Sequence, residues 1–357
     1  MSLRFNLRGA TAACALAATV VSGTAAASTI NQNTSWTITR SGATSTYRVV
    51  AYGDSMFAGY NGSLFSVARR AGPYVSGEYL GNQWNSNIEV VRRTKSGAKA
   101  DDIYNNKIIA ERSYMQSTNT RAVVFEMCGN DYLQARTAFK DQTGTCSYAG
   151  LDTALSNCTY YMEKAMQAIN TYATSAKSKI IMNIYYPGFN TDNVLTACTD
   201  ASTGTKVNRR DKFLPYLAKS NWRACNLAAT YGFKCADAFA ESMGNDYDSN
   251  GDGLIDSDGL RWQAGESEAA YVARMVSLKS TMRDSNTHYV NATTSYDYLQ
   301  SDDTHQTYYK STIGTGSGSA APDFTSSQIV GGKNPEWNKW GHERTGWSIS
   351  TYNPAAP

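Results

Sequence analysis

Short hydrophobic runs alternate with longer amphipathic segments along most of the chain. Runs rich in Val, Ile, Phe and Tyr predict buried β-strands at residues 48–52, 88–91, 121–127, 179–186 and 233–238. Apolar residues recur every three or four positions in further segments, which predict helices at 101–115, 151–173, 206–231 and 266–285. Strands that alternate with long helices are typical of βαβ units, so the pattern predicts a parallel sheet with helices on both faces.

Three segments lack this periodicity. Residues 28–46 are polar and rich in Ser and Thr, which indicates an N-terminal extension or an edge segment. Residues 61–87 are rich in Gly, Tyr, Trp and Asn, and we predict that they are irregular and line a cleft. Residues 313–357 form a predicted Gly/Ser-rich linker and a tryptophan-containing C-terminal tail.

The N-terminus has the features of a secretory signal peptide. Arg4 and Arg8 precede a short apolar run at 11–21, and Ala25-Ala26-Ala27 offers a small-residue cleavage site. We therefore expect residues 1–27 to be removed, which leaves a secreted or periplasmic chain. No later stretch approaches the roughly 20 apolar residues of a membrane-spanning helix, so we expect no integral membrane segment.

Charge and cysteine content narrow the possible functions. Removal of residues 1–27 lowers the count of Lys and Arg from 33 to 31 against 30 Asp and Glu, and no basic run favours nucleic-acid binding. Six cysteines remain, an even number that favours up to three disulfides in an exported protein. Short separations point to the pairs Cys146–Cys158 and Cys225–Cys235. No CxxC pair offers zinc-ligand spacing.

The first predicted strand ends at Gly53, and Asp54 and Ser55 follow at the start of a predicted short helix. Open α/β sheets bind ligands at the carboxyl ends of their strands, so Ser55 is expected at such an edge, beside helix N-terminal N–H groups. Two interpretations are open. Asp54 or Ser55 only caps the helix, or Ser55 is a catalytic nucleophile.

A nucleophilic serine needs a base, which is usually a histidine oriented by a carboxylate. The chain has three histidines, and His305 has an aspartate, Asp302, three residues before it. The chain order Ser, Asp, His also favours His305 over His288 and His342. The adjacent Asp303 leaves the choice of carboxylate open.

Acyl transfer also needs donors for the oxyanion that develops on the attacked carbonyl. Two candidate donors follow predicted strands: the backbone N–H of Gly97 and the side-chain amide of Asn130. Glycine and asparagine are common after strands, so neither residue alone indicates an oxyanion hole. Each supports one only in combination with the serine, aspartate and histidine.

Four blocks resemble, in order and spacing, the SGNH (GDSL-type) hydrolase family: Gly53-Asp54-Ser55, Gly97, Gly129-Asn130-Asp131, and Asp302 with His305. The resemblance covers about residues 48–312, and a hydrolase domain is expected over residues 28–312. It implies a flavodoxin-like three-layer α/β/α sandwich with a central parallel sheet, and hydrolysis of esters. The GxSxG turn of α/β-hydrolases is absent, because Phe57 stands two residues after Ser55.

The resemblance also implies a role for each matched residue. Ser55 would be the nucleophile and His305 the general base, with Asp302 orienting the imidazole. The N–H groups of Ser55 and Gly97 and the Asn130 amide would form the oxyanion hole.

Two positions depart from the family pattern. Met56 replaces the usual Leu after the serine, and Gln306 replaces the Pro that commonly follows the histidine. The first change conserves volume, whereas the second loosens the expected turn.

An acidic, glycine-rich loop at 244–260 matches the spacing of a calcium-binding loop. The predicted ligands are Asp248, Asn250, Asp252, Asp256 and the backbone carbonyl of Leu254. Gly259 stands where a bidentate glutamate is usual, and Asp258 is the nearest substitute. We expect a structural calcium ion here, with a solvated acidic turn as the alternative, and no cofactor for catalysis.

The sequence therefore favours a secreted serine hydrolase that cleaves carboxylic esters through an acyl-enzyme. The expected partner is an ester-bearing small molecule, a lipid or an acetylated glycan, and we expect a monomer. An O-acetyltransferase or a polysaccharide O-deacetylase on the same scaffold is the second hypothesis. The third, motivated by the 24 tyrosines and the tryptophans, is a non-catalytic carbohydrate-binding protein. The intact set of Ser, Asp, His and Asn argues against that third hypothesis.

Overall fold

The computed structural model describes residues 29–63, 66–189, 191–243, 259–280 and 304–305. The predicted signal peptide, Asp302, the proposed calcium ligands and the C-terminal tail lie outside these residues. Within the described residues, no helix is long and apolar enough to cross a bilayer.

The structure confirms the predicted alternation of strands and helices, with shifted boundaries. The described strands are β1 (Ile30–Asn31), β2 (Thr34–Ile38), β3 (Thr46–Gly53), β4 (Tyr60–Ser63), β5 (Ser66–Val67), β6 (Asn87–Ser96), β7 (Thr120–Phe125), β8 (Ser178–Met182) and β9 (Lys234–Ala236). The strand predicted at 179–186 thus ends four residues early, before the turn that contains Gly188.

The helices of the same residues cover both faces of the sheet. They are α1 (Ser55–Ala58), α2 (Gly72–Trp84), α3 (Ala100–Asp102), α4 (Gly129–Lys140), α5 (Ala149–Tyr172), α6 (Arg209–Tyr231), α7 (Ala238–Met243) and α8 (Glu268–Ser277). A π-helical segment (Ile103–Ile109) extends α3, and 3₁₀ turns lie at Arg112–Tyr114 and Leu278–Ser280. Gly232, in the left-handed region at φ +73°, ends α6 as the sequence predicts.

The sheet has the doubly wound strand order. β6, β3, β7, β8 and β9 are neighbours in that order, and all four pairings are parallel. β1 and β2 pair antiparallel with β6 and form the predicted edge segment. The flavodoxin-like α/β class is therefore confirmed, with a mixed edge on a mostly parallel sheet. Because the strand order reverses at β3, the carboxyl ends of β3 and β7 border the crevice where such sheets bind ligands.

Alternate residues of β3 face two separate cores. Val50 and Tyr52 pack in a large apolar cluster with residues of α5, α6 and α8. Val49 and Ala51 pack in a second cluster with residues of α1 and α2. Both faces of the strand are thus covered, which explains why the run at 48–52 is largely apolar instead of alternating.

The prediction that residues 61–87 are irregular is wrong for most of the segment. A short β4–β5 hairpin is followed by helix α2, which packs against the sheet. A Cβ atom at Gly77 would lie 2.5 Å from Cγ2 of Val90, so glycine lets the helix backbone lie close to β6. The small residues that permit this packing also remove the apolar periodicity by which a helix is recognised.

One of the two predicted disulfides is confirmed and the other is wrong. Cys225 is bonded to Cys235, whereas Cys146 is bonded to Cys198 and not to Cys158. The N–H of Cys146 donates to the carbonyl of Thr199 over 2.9 Å, which places the Cys146 and Cys198 side chains together. Cys158 lies inside α5 and is buried.

Candidate active site

The serine predicted as nucleophile lies at the carboxyl end of β3. The strand ends at Gly53, Asp54 is the N-cap of α1, and Ser55 is the first helical residue. Oδ1 of Asp54 accepts the N–H of Met56 over 2.9 Å, so the aspartate performs the capping. The Ser55 hydroxyl is not used for the cap and is available for other contacts.

His305 lies directly against this serine. Its Nε2 atom is 2.9 Å from Oγ of Ser55, a hydrogen-bond distance between residues 250 positions apart. The imidazole is stacked on the ring of Tyr60, with centroids 3.8 Å apart and an interplanar angle of 20°. The stacking fixes the plane of the imidazole, so that one ring nitrogen faces the serine oxygen. Asp302, the predicted partner of the other nitrogen, lies outside the described residues.

Asn130 connects the ends of three neighbouring strands. Its side-chain Nδ2 donates to Oδ2 of Asp54 after β3 over 2.9 Å and to the carbonyl of Ala98 after β6 over 3.0 Å. Asn130 itself follows β7, at the second position of α4. Gly97, the other predicted donor, precedes Ala98 and adopts φ +78°, a conformation that glycine takes without strain.

The two hydrogens of the Asn130 amide are both engaged in this structure. A side-chain amide has two donor hydrogens. To donate to an oxyanion, the Asn130 amide must therefore share or release one of its contacts with Asp54 and Ala98. The structure brings Asn130 to the same strand ends as Ser55 but does not leave its amide free.

Comparison of the sequence with protein-family models gives no match, and comparison with curated proteins gives none. Solved structures with a similar fold include a lipase from a goat rumen metagenome, with 17% identity, a TM-score of 0.42, and coverage of 66% of this chain and 96% of that one. A phospholipase A1 from Streptomyces albidoflavus NA297 has 18% identity, a TM-score of 0.40, and coverage of 66% and 99%. A mutant acetylxylan esterase from Geobacillus stearothermophilus has 14% identity, a TM-score of 0.36, and coverage of 56% and 78%.

At these identities and TM-scores, the matches assign no activity to this chain. The strand order, the two sequence blocks at the ends of β3 and β7, and the contact between Ser55 and His305 are observations on the chain itself. These observations agree with the resemblance to the SGNH hydrolases that the sequence blocks carry.

Beneath Ser55 and Asn130 lies a buried pair of carboxyl groups that sequence reasoning missed. Oε1 of Glu126 accepts the backbone N–H of Asp54 over 2.6 Å, and both side chains are buried. Burial, and next the charge of Asp54, raise the pKa of Glu126 well above its ordinary value. Burial also raises the pKa of Asp54, but the Met56 N–H and other hydrogen-bond donors oppose this. We therefore place the proton on Glu126 and the negative charge on Asp54.

The contact with Glu126 explains why the Gly53-Asp54-Ser55 block begins with a glycine. A Cβ atom at position 53 would collide with Oε1 of Glu126, so any larger residue would displace the carboxyl group. Glu126 also had a signal in the sequence, since it is a lone acidic residue in the otherwise apolar end of the 121–127 run. A buried acid in a strand that leads to a site is a reason to expect a partner there.

Asp131, the last residue of the Gly129-Asn130-Asp131 block, connects the loop after β6 to the start of α4. Its Oδ2 atom accepts the N–H of Ala100 over 2.9 Å, which links the start of α3 to the first turn of α4. Burial raises the pKa of Asp131 to about 6. The side chain thus has a positional role, holding the loop that contains Gly97 next to Asn130.

Two cavities border the site. The smaller, of about 30 Å³, lies between Ser55 and an apolar wall that includes Met56, Leu133, Met182 and Tyr185. The hydroxyl of Tyr185 donates to Sδ of Met56 over 3.2 Å, which fixes one side of this wall. The larger cavity, of about 380 Å³, begins at Gly97, and its lining residues include Lys95, Lys99, Asp101, Asp102, Asn105 and Gln134.

Proposed function

We propose that this chain is a secreted serine hydrolase that cleaves carboxylic esters through an acyl-enzyme. The observation that carries the proposal is the 2.9 Å distance between Nε2 of His305 and Oγ of Ser55 at the strand ends of a doubly wound sheet. A neutral imidazole at this distance can accept the hydroxyl proton as the serine attacks.

The mechanism follows from this pair. Oγ of Ser55 attacks the ester carbonyl while His305 accepts its proton, and the imidazolium then protonates the departing alcohol. A water molecule, activated by His305, releases the acid and restores the serine. The proposed oxyanion donors are the N–H groups of Ser55 and Gly97 and the Asn130 amide, and Asp302 is proposed to orient the imidazole.

The size of the cavity next to Ser55 favours a short acyl group. One water-sized sphere needs about 10–15 Å³, so a volume of about 30 Å³ accepts roughly two such spheres. A space of this size suits an acetyl group, whereas a long alkyl chain would have to extend beyond it. We propose that hydrolysis is faster for p-nitrophenyl acetate than for p-nitrophenyl octanoate. A preference for the octanoate would contradict this assignment of the acyl side.

The charged and amide side chains around the cavity at Gly97 support a second candidate, a polysaccharide O-deacetylase or an O-acetyltransferase. Such groups suit the hydroxyls of a sugar better than a lipid chain. Both activities would use the same serine and differ in whether water or a sugar hydroxyl accepts the acetyl group. Measuring free acetate against acetylated product, with an acetylated glycan and an added acceptor, separates the two.

The decisive test is Ser55→Ala. We expect hydrolysis of p-nitrophenyl acetate to fall by roughly 10³-fold or more, because the nucleophile is removed. Ser156→Ala, which removes an exposed hydroxyl on α5, is the matched control and should retain full activity. A fluorophosphonate should label the wild type at Ser55 and not label the variant.

Unchanged hydrolysis by Ser55→Ala would overturn the proposal. Absence of fluorophosphonate labelling in a folded wild-type chain would favour the third hypothesis, a carbohydrate-binding protein without catalysis.

A further inference from the structure

Two cysteines of the described residues take part in neither disulfide and lie side by side under the site. Cys128 precedes Gly129-Asn130, and Cys158 lies in the middle of α5. Both are fully buried. Their Sγ atoms and a carboxylate oxygen of Asp131 all lie within 4.8 Å of one another.

The backbone of Cys128 supports a role for its side chain. Cys128 has φ +84°, in the left-handed region that residues with a Cβ atom rarely adopt. Glycine at this position would relieve the strain. A residue with a side chain is kept in a strained backbone only when the surroundings stabilise it, and the neighbouring thiol of Cys158 is a candidate for that stabilisation.

We propose that Cys128 and Cys158 form a third disulfide, which ties the loop between β7 and α4 to the middle of α5. The two bonds already present show that the chain is compatible with oxidation, and six cysteines then form three pairs. Asn130 lies two residues after Cys128, in the first turn of α4, directly after the loop held in this way. The bond would therefore fix the start of α4, from which the Asn130 amide reaches Asp54 and Ala98.

The oxidation needs a disulfide oxidant, such as oxidised glutathione or a thiol–disulfide oxidoreductase. The thiolate of one cysteine attacks the oxidant and forms a mixed disulfide, releasing one thiol. The second cysteine, after losing its proton, attacks the protein sulfur of that mixed disulfide and releases the second thiol. Two protein thiols lose two electrons in total, and the oxidant is reduced to two thiols. Because both cysteines are buried in the folded chain, this step belongs to folding, before α5 covers the loop.

A metal ion between the two thiols and Asp131 is the competing interpretation. The carboxylate of Asp131 already accepts the N–H of Ala100. Burial raises the pKa of both thiols, that of Cys158 to about 11, so a metal ion would have to displace two tightly held thiol protons. The neighbouring Sγ atoms and the engaged Asp131 carboxylate therefore favour the disulfide over a metal site.

Peptide mapping of the full chain tests the proposal directly. The chain is folded with a mixture of oxidised and reduced glutathione, unfolded in guanidinium with iodoacetamide, digested without reduction and analysed by mass spectrometry. We expect a cross-linked peptide that joins Cys128 and Cys158. Recovery of both as alkylated, unlinked peptides would overturn the proposal, as would one equivalent of zinc bound to the folded chain with both thiols reduced.

A thermal-stability cycle gives a second, independent measurement. Cys128→Ala, Cys158→Ala and the double variant should each lower Tm by about 5 °C, because either single change already removes the bond. Losses that add in the double variant would mean that the two side chains only pack, and would contradict the disulfide. If the variants do not fold, the wild-type peptide map still decides. Neither measurement depends on esterase activity, so the proposal can fail or succeed separately from the proposed function.

Discussion

The protonation of Glu126 can be tested by two substitutions that differ only in whether they keep a polar group. In the structure, Glu126 accepts the N–H of Asp54 over 2.6 Å and lies against the Asp54 carboxylate. If Glu126 is neutral, Glu126→Gln keeps the same hydrogen bonds. The amide oxygen accepts the N–H of Asp54, and the amide hydrogens face the Asp54 carboxylate. Glu126→Ala removes both contacts and leaves a cavity.

The expected magnitudes follow from these contacts. A buried donor left without an acceptor costs about 1–3 kcal/mol, and the lost side-chain atoms add roughly 1–2 kcal/mol. We expect Glu126→Ala to lose about 2–5 kcal/mol of unfolding free energy, which corresponds to a Tm lower by roughly 3–7 °C for a chain of this length. Glu126→Gln should stay within about 1 kcal/mol of the wild type near pH 5.

The pKa of Glu126 fixes the direction in which the stability of the folded chain changes with pH. The pKa of Glu126 is higher in the folded chain than in the unfolded chain, so the folded state keeps a proton that the unfolded state loses. The stability that this proton contributes is present below the ordinary glutamate pKa and is lost as pH rises toward the folded pKa. The wild type should lose about 1.4 kcal/mol per pH unit in that window relative to Glu126→Gln.

Urea unfolding at a series of pH values measures these differences. Glu163→Gln, the same chemical change at a half-buried position on α5, is the control for replacing any glutamate. If Glu126→Gln is as destabilising as Glu126→Ala, or if its stability relative to the wild type does not change with pH, Glu126 is charged in the folded protein. The assignment of the proton would then be wrong.

Two further perturbations test the packing around the site. Tyr60→Ala removes the ring on which His305 stacks, so we expect kcat for p-nitrophenyl acetate to fall by about 10-fold. Tyr60→Phe keeps the ring and should stay near the wild type. Equal rates in all three chains would contradict a positioning role for Tyr60. Gly53→Ala places a Cβ against Glu126 and should lower stability by about 1–3 kcal/mol in urea unfolding. Gly150→Ala on α5, with open space around the new Cβ, should be neutral or stabilising, and a similar loss in both variants would contradict the steric argument.

The helices that the sequence predicted correctly are those with a regular apolar stripe. The segment at 151–173 corresponds to α5, and its buried residues recur at the predicted positions. Helix α2 was missed because Gly77 and Gly81 replace apolar side chains on the face that packs on the sheet. A helix that approaches a sheet through glycines has no stripe in its sequence, and only the packed structure shows which face is buried.

Disulfide pairing shows a similar limit. Cys225 and Cys235 are close in sequence, and a short turn between α6 and β9 brings them together. Cys146 is closer in sequence to Cys158 than to Cys198, yet it pairs with Cys198 because the hydrogen bond to Thr199 aligns two distant loops. A short sequence separation therefore predicts a disulfide only where the fold brings no other cysteine next to either partner.

Within this chain, the sequence by itself determined the alternation of strands and helices and the strand-end positions of Ser55 and Asn130. It could do so because apolar periodicity and glycine-terminated strands are local properties, and parallel strands bring their carboxyl ends to one edge. Only the tertiary structure decided that Tyr60 stacks on His305 and that Glu126 lies under Asp54. These contacts join residues far apart in the chain. Their energies arise from burial and hydrogen bonding between those residues, which cannot be predicted from the local sequence around either one.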